Sequence, residues 1–169
     1  MAQIPKQQPS IAPGPRSLDE NLALALKDET VRRTVNVKLM IRGGLEPQAY
    51  SFDFSAAGDG TAECRFECRP SGRKGQSEKT SLADKDFVAL LGKVRRTMQI
   101  PYEQPSFLPD TVVGILEVSD GGNVRRFYFA ADAEQAKTQG KTPPPKLLGA
   151  VNAIYSLGAR LTGKRSVKP

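Results

Sequence analysis

Apolar positions along the chain fall into two rhythms, one of three to four residues and one of two. The first rhythm opens at "SLDE". Here the Ser17 hydroxyl can accept the Glu20 backbone N–H while the Glu20 carboxylate reaches back to that of Ser17, a capping box. It predicts a helix from about Leu18 to Thr30, with Leu18, Leu22, Ala25 and Leu26 on one face. The period then drops to two. In "TVNVKLMIR" Val35, Val37, Leu39 and Ile41 oppose Asn36, Lys38, Met40 and Arg42, and "AYSFDFS" sets Tyr50, Phe52 and Phe54 on one side. "GGLEPQ" reads as a turn and "AAGDG" as a tight hairpin connection. In the third strand, Ala62, Cys64, Phe66 and Cys68 alternate with Glu63, Arg65, Glu67 and Arg69.

"RPSGRKGQSEK" then reads as a basic loop, and Ser81 with Asp84 as a second capping signal. The helix it opens runs to about Met98, with Phe87, Leu90, Leu91, Val94 and Met98 inward and Lys85, Lys93 and Arg96 outward. "IPYEQPSFLPD" is a proline-broken loop. "TVVGILEVS" and "NVRRFYFA" flank the hairpin signal "DGG", and the first is apolar on both faces, as an interior strand would be. Residues 131–146 are polar and end in "TPPPK", whose prolines suit the first turn of a last helix. That helix lines up Leu147, Val151, Ile154, Gly158 and Leu161, with Leu148 and Tyr155 beside them.

The order is helix, three strands, helix, two strands, helix. It predicts an α+β two-layer sandwich, a mainly antiparallel sheet of about five strands with helices on one face. The expected organisation is an extended proline-rich basic arm over 1–16, one α+β domain over 17–161 and a basic tail over 162–169.

Four stretches, "YSFDFSAAGDGTAE", "SLADKDFVALLGKV", "PDTVVGILEVSDGGNVRRFYF" and "PPPKLLGAVNAIYSLGARL", resemble a small bacterial domain family in their element order and Asp-Gly turns. The resemblance covers roughly Val35 to Leu161 and implies the same α+β fold. No function is assigned to that family, and it has no catalytic residues to carry over. It implies paired cysteines just before the first aromatic strand. Here that position reads "GGLEPQAY", so no role of those cysteines transfers.

Composition narrows the chemistry. The chain has no histidine, which removes Ser-His-Asp and Cys-His nucleophilic sites and His-ligated zinc. Cys64 and Cys68 point the same way on a strand, but at ~3.3 Å per residue their Cα atoms lie about 13 Å apart. That is too far for a disulfide or a shared metal ion, so the pair reads as core filling. "GARLTGKRS" nearly matches a phosphate-binding loop, yet Arg165 stands where a hydroxyl is needed and the stretch closes a helix, so Gly163 reads as a C-cap. Asp53, Asp59, Asp110 and Asp120 form no convergent pair, and no metal-ligand spacing is present. Phe127, Tyr128 and Phe129 beside Arg125 and Arg126 have the composition of an RNA-stacking surface, but two of the rings share a face that serves equally as core. No enzyme, cofactor or metal is expected.

Charge points to partners. The formal net charge is +7 over 169 residues, which favours an acidic protein, an anionic membrane surface or nucleic acid. The basic clusters are Lys6 and Arg16 in the arm, Arg69, Arg73, Lys74 and Lys79 in the loop, Lys93 and Arg96 on the helix, and Arg160, Lys164, Arg165 and Lys168 at the end. Arms of this kind take an ordered course only when something holds them. The favoured expectation is a non-catalytic accessory subunit docked on a larger complex through its body and basic arms. A peripheral subunit on the cytoplasmic side of an electron-transfer or photosynthetic complex is one version. The alternative is a nucleic-acid-binding protein using the tails and the 69–79 loop. With no secretory signal and no spanning stretch, the expected location is cytoplasmic, with a peripheral membrane position allowed.

Overall fold

A computed structural model describes residues 15–44, 48–56, 61–69, 74–101 and 105–163. Six strands form one antiparallel sheet in the order β4-β3-β2-β1-β5-β6. They are β1 (Asn36–Gly43), β2 (Gln48–Ala56), β3 (Ala62–Arg69), β4 (Gln76–Leu82), β5 (Val112–Ser119) and β6 (Val124–Ala130). The first four make a meander. The chain then crosses through α3 (Asp84–Arg95) and a 3-10 turn over Arg96–Gln99, and returns as β5 on the free side of β1.

The sixth strand corrects the expected five. β4 occupies the end of the stretch read as a basic loop, and Ser81, expected to cap a helix, instead pairs with Glu63 in the ladder. The N-cap of α3 is Ala83, with no side-chain hydrogen bond. The strand carries no sequence signal because it lies at the sheet edge, where Gln76, Glu78 and Thr80 take its core-side positions. No hydrophobic alternation marks it until Leu82, which is buried.

The Ser17 capping box forms as expected, but the first helix is α1 (Leu18–Ala25), not a run to Thr30. Asp28 starts a separate short helix, α2 (Glu29–Arg32), by accepting the backbone N–H groups of Thr30 and Val31. An Asp that satisfies two free amides at once favours a new helix start over continuation. The polar run after β6 also holds a helix, α4 (Ala133–Thr138), opened by Asp132, whose carboxylate accepts from Gln135. The last helix, α5 (Pro145–Thr162), ends on Gly163 in the left-handed conformation (φ 65°), which is the C-cap expected there.

One face of the sheet carries Val37, Leu39, Phe52, Phe54, Cys64, Phe66, Leu116, Val118, Phe127 and Phe129. Against it pack Leu18 and Leu22 of α1, Phe87, Leu91 and Val94 of α3, and Leu147, Val151 and Ile154 of α5, in one core. Each fully buried Phe or Leu contributes about 1.5–3 kcal/mol relative to exposure, so these side chains dominate the stability. Among the described residues, side chains rather than helices furnish the opposite face, in cross-strand rows. The central row reads Lys79, Arg65, Asp53, Lys38, Glu117 and Arg126 from β4 to β6.

Candidate docking surfaces

The helix layer presents a groove between α3 and α5. Its apolar floor is Leu90, Ala153 and Leu157, and its rim carries Lys93, Asp86 and Arg160, enclosing about 300 Å³. The floor follows from the packing. Leu90 turns into the core, while Ala89 and Ala153 are too small to fill the space between the helices. Arg160 donates to Asp86 across the groove at 2.8 Å. Lys93 has no ion pair among the described residues, and Arg96 stands exposed one turn further on. The sequence placed Lys93 and Arg160 in different clusters; the fold sets them on one groove.

The other expected basic residues divide by face. Arg69 and Lys79 belong to the open sheet face, where Lys79 pairs with Glu63 at 2.6 Å and Arg69 lies 3.9 Å from Glu67. Lys74 is exposed just before β4. Arg16 is exposed, and its carbonyl accepts from Asn123. Lys6, Arg73, Lys164, Arg165 and Lys168 lie outside the described residues, as do Asp59 and most of the arm.

A second concavity follows β2 on the open face. That strand shows Ala49 and Ser51 there, both small, between the long side chains of β1 and β3. The cleft of about 180 Å³ is walled by Lys38, Arg42, Glu67 and Arg69. In sequence, Lys38 and Arg42 are only the polar side of a strand. The signal that marks them is the pairing of small residues on one strand with cations on the next, and it depends on register.

A third cavity, about 450 Å³, lies between α4, α5 and the end of β6. Phe129, Ala131, Ala136, Leu148 and Val151 make it largely apolar, and Asn152 and Ser156 are its polar lining on α5.

The reactive groups sit in structural surroundings. Cys64 is fully buried, and its thiol is pushed up to about 12, first by burial and then by the Asp53 and Glu78 carboxylates. Cys68 is half-buried on the same face. Tyr155 shares a hydrogen bond with Tyr50 at 2.5 Å. Burial first, then that contact, holds the Tyr155 phenol well above its ordinary value. Asp53 accepts from the Asn36 side chain at 2.6 Å, and the Asp110 carbonyl accepts from Gln135. Phe127 and Phe129 lie in the core. Arg125 donates to the Met98 and Ile100 carbonyls at 2.6 and 2.7 Å, satisfying acceptors at the end of the 3-10 turn that follows α3. Those rings are core residues and not a stacking platform. Among the described residues no group of three or more acidic or cysteine side chains could hold a metal ion, and no helix is long and apolar enough to cross a membrane.

The chain matches no family model, and no curated protein matches it.

Proposed function

We propose that the protein is a non-catalytic accessory subunit that docks on a larger assembly by receiving an acidic amphipathic helix of a partner protein in the α3–α5 groove. The observation that supports this reading is the groove itself, an apolar floor at Leu90 and Leu157 beneath a rim with Lys93 and Arg160. A helix laid in such a groove anchors through one or two apolar side chains, while carboxylates on its flank meet the cations. The charge steers encounter and sets orientation, and the buried floor supplies the affinity. Lys93, which has no ion pair among the described residues, and Arg96 one turn on are the residues that discriminate for an acidic segment. The chain's overall basic charge acts in the same direction.

The test is purification of the tagged full chain from its native source in mild detergent and moderate salt, with nuclease. It is run beside a variant carrying Lys93→Glu and Arg96→Glu. The expected result is a defined set of proteins at fixed stoichiometry with the natural chain and their loss from the variant. If the variant retains the same set, the groove is not the contact. Should the natural chain emerge alone after nuclease, and bring only nucleic acid without it, the subunit reading fails and phosphate binding by the basic segments replaces it.

A further inference from the structure

We propose that the cleft over β2 is a binding site for a phosphoryl group, held by Arg42 and Arg69 across Ala49, with Lys38 and the Ser51 hydroxyl completing it. Register carries the argument. Arg42 pairs with Ala49 on β1–β2, and Ala49 with Arg69 on β2–β3. The two arginines therefore flank one alanine in a single row, their Cα atoms about 10 Å apart at the ~4.8 Å strand spacing. Ala49 leaves the space between them open, and the cleft it floors measures about 180 Å³.

On this face Lys79 meets Glu63 and Arg126 meets Glu117, both at 2.6 Å. The cations of the cleft make no such close pair. Lys38 and Arg42 have no ion pair among the described residues. Arg69 has only the 3.9 Å approach of Glu67, with its own side chain 80% exposed. The nearest acid on β2 is Asp53, and the Asn36 amide already occupies it. Ser51, at the floor, is 9% exposed and has no side-chain hydrogen bond among the described residues.

Two guanidinium groups facing across a gap repel unless an anion lies between them. Their planar forks suit the oxygens of a tetrahedral phosphoryl group, which carries a charge of about −1.5 to −2 near neutral pH. Lys38 supplies a third cation and Ser51 a neutral donor. A carboxylate, with two oxygens and a single charge, leaves part of this donor set unused. Glu67 on the wall stands near enough to Arg69 to bias its position without neutralising Arg42 or Lys38.

The probe is inorganic phosphate, titrated into the full chain at low salt and followed by amide chemical shifts. Saturable shifts centred on Arg42, Ala49 and Ser51 are expected. Arg42→Gln and, separately, Arg69→Gln should weaken binding about tenfold, as loss of a charge-assisted pair of bonds does, while Lys93→Gln leaves it unchanged. Both arginines are at the surface, so either variant keeps the site falsifiable if the other disturbs the strand. Shifts that stay linear in phosphate, or that Lys93→Gln reduces equally, would overturn the site in favour of diffuse charge. Competition then identifies the source. Displacement of phosphate by a nucleoside monophosphate assigns a soluble ligand, and displacement only by phosphatidate-containing vesicles assigns a lipid headgroup. Displacement by neither leaves free phosphate as the ligand.

Discussion

Gly158 lets α5 lie close against the Phe52 ring of β2. A Cβ at this position would stand 2.4 Å from the Phe52 ring, which cannot withdraw because Phe66, Tyr155 and Tyr50 surround it with centroids at 5.1, 6.0 and 6.5 Å. Alanine would gain about 1 kcal/mol in helix propensity, against an overpacking cost of about 1–3 kcal/mol. The steric cost wins where the ring is caged. Gly158→Ala should therefore destabilise the protein by up to about 2 kcal/mol in urea unfolding, and no change would mean that the ring relaxes. Cys64 offers a second residue-scale prediction. With its thiol raised to about 12 and its side chain buried, it should resist a disulfide reagent at pH 8, while half-buried Cys68 reacts in the native state. Simultaneous labelling of both without denaturant would contradict that packing. The facing of both cysteines was legible in the two-residue alternation. The cage around Phe52 was not, since it joins side chains of β2, β3 and α5.

Turn chemistry dominates at the scale of elements. The β5–β6 hairpin turns on Asp120, whose carboxylate accepts from Gly122 and Asn123 backbone N–H groups and from the Asn21 side chain of α1 at 2.8 Å. Burial acts to raise its pKa. The Asn21 and Asn123 bonds, with that of Gly122, outweigh burial and hold the carboxyl below the usual range. The folded value is thus lower than the unfolded one of about 3.9. Its stabilisation is complete above that value and is lost as pH falls through the folded pKa. Asp120→Asn should lower stability at neutral pH and flatten the loss of stability below about pH 4, measured by thermal unfolding across pH. Equal acid sensitivity in both proteins would show that other carboxylates carry the transition. The sequence marked Asp120 as a turn residue, but the tie to α1 spans the chain and no local pattern carries it. Asp28 teaches the converse lesson. Helical periodicity runs on past it to Thr30, but α1 closes at Ala25 and the Asp28 carboxylate, holding two backbone amides, starts a separate helix.

The whole molecule is organised around β1, which pairs with β2 on one side and β5 on the other and so joins the meander to the C-terminal hairpin. Amides of β1 and β2 should exchange with solvent most slowly, and those of the polar edge strand β4 faster by orders of magnitude, in native-state hydrogen exchange. Comparable protection of β4 would mean that it does not open separately from the sheet. The two basic surfaces follow from the same layout. The sandwich sends Lys93 and Arg160 to its helical side and Arg42 and Arg69 to its open side, so one net charge becomes two distinct surfaces. What the sequence determined by itself is whatever neighbours along the chain can encode. Alternation specified β1, β2, β3, β5 and β6, helical periodicity much of α3 and α5, and the Ser17 capping box the start of α1, because burial acts on periods of two and 3.6 residues. Tertiary structure alone decided that a polar segment would become β4, that β5 would lie beside β1, and that Arg42 and Arg69 would flank Ala49. Each depends on which strand supplies the partner for open backbone groups, a choice made between segments distant along the chain and written in no single one of them.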